Sequence, residues 1–143
     1  MADLTAARKL EYVGEQDEIS PKFAASDSYY EGGLLCYDAN GFAAAPSDAA
    51  DLFPAGIVVG EYENGERNYA YAMGSTALRG KLKRGKVWLP FSGAAQSDVG
   101  EHFYIADDQT LTQTAGSKTV SIVALDFKSG YLLFDLRFAD RIA

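Results

Sequence analysis

Asn-Gly, the dipeptide that most readily takes the positive φ angles of a two-residue hairpin turn, occurs twice in this chain, at Asn40-Gly41 and Asn64-Gly65. Each lies between short apolar runs: residues 34–37 and 42–45 flank the first, residues 57–62 and 69–73 the second. Two further hairpins are predicted, one turning at Asp107-Asp108 between residues 103–105 and 111–112, the other at Lys128-Ser129-Gly130 after residues 120–127. In the final run Leu132, Phe134, Leu136 and Phe138 alternate with Leu133, Asp135 and Arg137, the period of a strand with one buried face. Helical periodicity is nearly absent. Only residues 48–53 read as a short helix, with Asp48 placed to cap it and Asp51 favouring its positive end. The pattern predicts a mainly β fold, a small β-barrel or β-sandwich of short antiparallel strands with at most one or two short helices.

At 143 residues the chain fits one domain with its own core. Its formal charge of −7 disfavours attraction to nucleic acid phosphates or anionic lipid, so neither nucleic acid nor membrane is an expected partner. No run approaches the ~20 apolar residues of a membrane helix, and the opening residues lack a signal-peptide core. A protein made and used in a cytoplasm, or carried in a particle assembled there, is expected. Cys36 is the only cysteine, which excludes an intrachain disulfide; Leu34, Leu35 and Tyr37 beside it predict a buried thiol.

Residues 1–28 differ from the rest. Leu4, Leu10, Tyr12, Val13, Ile19 and Phe23 are scattered among charges without a stable period, and Pro21 interrupts the run. This stretch reads as an extended N-terminal arm that orders against another surface, leaving residues 29–143 as a single β domain. A frayed terminus followed by an edge strand is the other reading of the same residues.

Motifs for chemistry are missing. His102 is the only histidine and has no evident partner in sequence; neither a Gly-x-Ser-x-Gly elbow, a His-Glu-x-x-His pair nor a metal-spaced Cys/His cluster occurs. Asp107 and Asp108 supply too few oxygens for a calcium site and read as turn residues. The segment from Gly80 to Val87 has the glycine and lysine spacing of a phosphate-binding loop, but Val87 stands where a Ser or Thr hydroxyl is required, and a strand follows where that loop needs a helix. No catalytic residue, cofactor or metal is expected, and the chain is not read as an enzyme. The same segment concentrates positive charge, however: Arg79, Lys81, Lys83, Arg84 and Lys86 form a basic stripe in an acidic chain. Such a stripe serves as a solvated strand face, as protection against edge pairing, or as a docking patch for an acidic protein surface.

An ordered series of segments then resembles the capsid cement, or head decoration, proteins of tailed bacteriophages. Ala-Asp-Leu-Thr-Ala-Ala-Arg at the start is followed by Tyr30-Glu31-Gly32-Gly33-Leu34-Leu35, Asp38-Ala39-Asn40-Gly41-Phe42 and Phe53-Pro54-Ala55-Gly56-Ile57 with Glu61 and Asn64-Gly65. Arg84-Gly85-Lys86-Val87-Trp88, Ser97-Asp98-Val99-Gly100 and the run from Tyr104 through Asp107-Asp108-Gln109 to Thr112 complete the series. Residues 120–125 depart from the family pattern, with Ser121-Ile122-Val123-Ala124 where a Val-Gly step is usual. The resemblance implies a structural virion protein bound to the capsid exterior as a homotrimer, with the major capsid protein and other copies of itself as partners. It also implies an arm, comprising Ala2, Asp3, Leu4, Thr5, Arg8, Leu10 and Tyr12, that lies across neighbouring capsid subunits. On this view residues 2–13 contribute little to the core. A carbohydrate- or receptor-binding module of a virion is the alternative, motivated by nine tyrosines and Trp88 on a small β scaffold.

Overall fold

The computed structural model describes residues 4, 8–24, 29–59, 62–63, 66–67, 72–73 and 77–141. The chain order is β1 (Glu11–Ile19), β2 (Lys22–Phe23), β3 (Leu34–Tyr37), β4 (Ala43–Ala44), β5 (Pro54–Val59), β6 (Tyr62–Glu63), β7 (Glu66–Arg67), β8 (Ala72–Met73), β9 (Ala77–Arg79) and β10 (Lys81–Pro90). It continues with a 3₁₀ turn (Gln96–Asp98), then β11 (His102–Ile105), β12 (Leu111–Thr112), β13 (Val120–Val123), β14 (Asp126–Lys128), β15 (Tyr131–Asp135) and β16 (Asp140–Arg141).

Three of the four expected hairpins form; the arms expected for the second, residues 57–62 and 69–73, do not pair with each other, since residues 57–59 pair with β10 and β3 and Ala72–Met73 with β9. β3 and β4 pair across Asn40-Gly41, where the Asp38 carboxylate accepts the amides of Asn40 and Phe42, each at 2.9 Å. β6 pairs with β7 directly across Asn64-Gly65, which themselves lie outside the described residues. β11 pairs with β12 across the Asp107-Asp108 turn, and β14 with β15 across residues 129–130.

β10 organises the larger, ten-stranded sheet. On one side it carries β1 along its length; on the other, Lys81–Lys83 pair with β5 and Lys86–Pro90 with β15. The two partners diverge at Gly85, whose carbonyl accepts the Leu136 amide at 2.9 Å. A Cβ there would stand 2.6 Å from Gln16 Oε1, so only glycine leaves room for the Gln16 side chain. Gln16 in turn sits in a bulge of β1 between Val13 and Asp17 and donates to the carbonyls of Val13 and Lys86.

A four-stranded sheet, β12-β11-β13-β16, covers the main core. Leu34, Ile57, Val87 and Leu89 from the large sheet meet Phe103, Ile105 and Ile122 from the small one, closed at the end by Leu132, Phe134 and Leu136. Phe103 stands edge-on to both Phe91 and Phe134, at centroid distances of 4.9 and 5.6 Å, and such pairs contribute about 0.5–1.5 kcal/mol beyond burial. Because side chains alternate along β3 and β5, Leu35 and Val58 emerge on the opposite face and build a second cluster with Phe23, Tyr29 and Leu82. This is a β-sandwich; the described strands form no closed barrel.

Three further expectations are corrected. Residues 48–53 form no helix: the Asp48 carboxylate takes the Ser117 amide and the Lys118 ammonium, and Asp51 lies at φ 61, outside the right-handed helical region. The run from Leu132 to Phe138 is not one strand with one buried face: β15 is covered at Leu133 and Asp135 as well as at Leu132 and Phe134, and it ends at Asp135. Phe138, placed on the buried face by the alternation, is 70% exposed. Residues 136–137 turn off the sheet, the Phe138 amide closing the turn on Asp135 O, and β16 pairs instead with β13. The run 120–127 is likewise two strands in different sheets, broken at Ala124-Leu125.

Candidate docking surface

The N-terminal segment is tied to two distant turns. The Arg8 amide donates to Glu31 O at 2.8 Å, and its guanidinium Nε to Gly32 O at 2.8 Å. Nη2 and Nη1 reach the carbonyls of Asp108 and Gln109 at 3.3 and 3.4 Å, and the Leu4 amide donates to Asp108 Oδ1 at 2.7 Å. Gly32 lies at φ 87, and a Cβ on it would run into the Arg8 backbone, so this crossing requires glycine on two counts. Gly33, next to it, exchanges both backbone bonds needed to hold the turn, to Tyr30 O and from the Val58 amide. Burial lowers Arg8 from its ordinary value, opposed by the charges of Asp108 and then Asp107. Ala2, Asp3 and Thr5 lie outside the described residues.

Beyond Arg8 the chain enters β1. Leu10 and Tyr12 are half-buried and pack against the main core, so a deletion spanning them removes core contacts as well as any contacts they make elsewhere. Tyr12 pairs in register with Val87, and the Lys83 ammonium lies 4.9 Å from the centre of its ring. Burial, then repulsion from Glu31, pushes the Tyr12 hydroxyl up to about 12. Together these side chains form a cleft of about 220 Å³ whose charged lining is Arg8, Lys9, Lys83 and Glu31, with Val58 and Val59 as its apolar part. Residues from the arm and from the basic stripe thus meet in one place.

The rest of the stripe is dispersed. Arg79 donates to Ser20 O at 2.9 Å, and Lys81 stands 3.8 Å from Glu18. Arg84 falls opposite Asp17 with its stem over Gly56, and its Nε is buried without a hydrogen-bond partner among the described residues. Lys86 is exposed, in register with Asp135. Alternation on β10, interrupted at Gly85, therefore sends these charges to different surroundings; Lys83 alone of the five lines the cleft.

Elsewhere, His102 Nδ1 meets Ser121 Oγ at 2.8 Å, a partner sequence reading did not find. Ser121 is 1% exposed, and no carboxylate bonded to the other ring nitrogen is seen among the described residues, so the orienting group of a hydrolytic triad is missing from this pair. The phosphate-loop-like segment itself lies in strand β10, which begins at Lys81, ahead of the strand expected to follow it from Val87. Cys36 is buried, and burial pushes its thiol up to about 12. Among the described residues no group of three or more His, Cys, Asp or Glu is arranged to hold a metal, and no helix is long and apolar enough to cross a membrane.

Sequence reasoning missed the Arg8 crossing because its partners lie 24 and 100 residues away. It also missed the fork of Arg137 on Asp135, at 2.9 and 2.7 Å, which holds that carboxyl below its ordinary value.

No protein-family profile matches the chain, and no curated protein matches it. Among solved structures, it is similar to a chain of "The capsid of Myoviridae Phage XM1", with a TM-score of 0.48 and 16% identity over 95% of this chain and 91% of that one.

Proposed function

We propose that this chain is a structural protein of a bacteriophage virion, a cement protein that binds the exterior of the head as a homotrimer and braces the shell by bridging major capsid subunits. The observation that carries the reading is the convergence at Asp108 of three segments on which the family resemblance rests. Leu4 and Arg8 come from the opening segment, Gly32 and Leu34 from the second and Asp108-Gln109 from the Asp-Asp turn; Arg8 and Leu4 make the bonds described above, and the Leu34 amide donates to Asp108 O at 2.8 Å. Landmarks scattered along the sequence are in this way parts of one device that fixes the path of the N-terminal segment over the domain surface. The first part of the arm, Ala2 to Tyr12, carries the capsid contact, with strand β1 anchoring it and the Arg8–Tyr12–Lys83 cleft receiving an acidic side chain from a capsid subunit. Several weak contacts of this kind reinforce one another, since binding at one raises the effective concentration at the next.

The carbohydrate reading loses its motivation at Trp88. The Lys128 ammonium lies 4.6 Å from the Trp88 ring centre and 5.4 Å from that of Tyr131, and is itself held by Glu11 at 2.6 Å, so these aromatic faces already carry a cation.

Gel densitometry of purified particles tests the proposal. Lys83→Glu is expected to lower occupancy on heads in a salt-dependent way, exposed charges being screened over roughly 8 Å at physiological ionic strength. Full occupancy by Lys83→Glu and by a chain lacking residues 1–7 would refute this mode of attachment. Binding to a glycan array with no affinity for heads would refute the cement role.

A further inference from the structure

The turn that carries Asp107 and Asp108 has a second side. Asp108 meets the N-terminal segment, whereas Asp107 lines a separate cleft of about 480 Å³ with Pro46, Asp48, Thr112, Thr114 and Lys118. Asp107 is only 6% exposed. Its Oδ1 accepts the Gln109 amide at 3.0 Å, but its Oδ2 is buried with no hydrogen-bond partner among the described residues. An ionised carboxylate is an acceptor only, and a buried oxygen left without a donor is costly, so this atom marks a place where a donor is missing. The second carboxylate is already engaged: Asp48 Oδ1 takes the Ser117 amide at 2.8 Å and the Lys118 ammonium at 3.2 Å. The charged lining therefore comprises two carboxylates and one ammonium, and Arg8, which acts on Asp107 by charge from outside the cleft, supplies no hydrogen to its Oδ2.

We propose that this cleft receives a lysine or arginine side chain of a neighbouring protein, with Asp107 as its counter-ion. Thr112 and Thr114 also line the cleft, and the Thr112 hydroxyl oxygen, which takes the Thr114 amide at 3.1 Å, has a second lone pair for a further hydrogen. A divalent metal is a poorer fit, because no set of three metal-binding side chains is present among the described residues and Lys118 already places a positive charge in the cleft. The inference concerns this cleft alone and does not rest on the capsid reading.

The test is an NMR titration of the full isotope-labelled chain with N-acetyl-arginine amide and N-acetyl-lysine amide, with N-acetyl-norleucine amide and calcium chloride as comparisons. Saturable shifts of the Ala106, Thr112 and Thr114 amides with at least one cationic probe are expected. Asp107→Asn should weaken that binding about tenfold, the loss of one charge-assisted hydrogen bond. Should that variant give a non-native spectrum, Thr112→Val is read instead and should weaken binding severalfold. The proposal is overturned by the absence of saturable shifts, by equal binding of the norleucine probe, by unchanged affinity in the variant read, or by calcium binding in preference to either cationic amide.

Discussion

Replacing Arg8 by Met keeps the aliphatic stem and removes the guanidinium bonds to Gly32 O at 2.8 Å, Asp108 O at 3.3 Å and Gln109 O at 3.4 Å. The first has good geometry and a charged donor, and such bonds contribute about 1.5–3 kcal/mol; the two long ones add little. Asp108 O keeps its bond from the Leu34 amide, and the site is half-buried, so water replaces part of what is lost. The expected destabilisation is about 2 kcal/mol in urea unfolding, or roughly 6–10 °C in Tm for a chain of this length. Gly32→Ala attacks the same crossing from the other side, since φ 87 is a left-handed conformation and the new Cβ would run into the Arg8 backbone. Left-handed backbone alone costs about 1–2 kcal/mol. Because both changes release one crossing, Arg8→Met in the Gly32→Ala background should cost at least about 1 kcal/mol less than in the wild type. A loss below about 0.5 kcal/mol for Arg8→Met, or strict additivity of the pair, would refute the claim that this crossing fixes the N-terminal segment.

Gly85→Ala should destabilise the chain by displacing the Gln16 side chain, and Gln16→Ala in the same chain should recover much of the loss; thermal melts of both variants check this. The Asp135 carboxyl is held below its ordinary value, first by the Arg137 hydrogen bonds. A depressed folded pKa means that its stabilisation is present above the ordinary aspartate value of about 3.9 and is lost as pH falls through the lower folded value. Asp135→Asn should therefore flatten the fall in stability below about pH 4, measured by urea unfolding across pH. The Cys36 thiol, buried and pushed up to about 12, should not react with a thiol reagent at pH 8 in the native chain and should react fully in denaturant.

The hairpins at 40–41 and 107–108 were legible because their determinants are local: a turn residue that tolerates the required φ, or an Asp whose carboxylate caps the next amides, acts within four residues. The mainly β class follows from the same signals. The predicted helix at residues 48–53 failed for the complementary reason, since Asp48 and Asp51 are held by Ser117, Thr119 and Arg141, partners that no local rule contains. Phe138 kept the period of β15 but not its strand, because the Asp135–Arg137 fork turns the chain off the sheet. β1 was the hardest to foresee. Its partner lies about seventy residues on, and its bulge at Gly14–Gln16 breaks the alternation that would have marked it as a strand. The basic stripe was visible as composition, but which of its members share a face depends on the kink at Gly85, and only the fold reveals that Lys83 meets Tyr12.

A cement protein has a defined position on its particle, and a cryo-EM reconstruction of phage heads carrying this chain measures it directly. The account predicts density for the β-sandwich on the outer surface in three-fold groups, with the N-terminal segment and the Arg8–Tyr12–Lys83 cleft turned toward the capsid subunits. Isolated single copies, or heads with no bound copy of the chain, would contradict it.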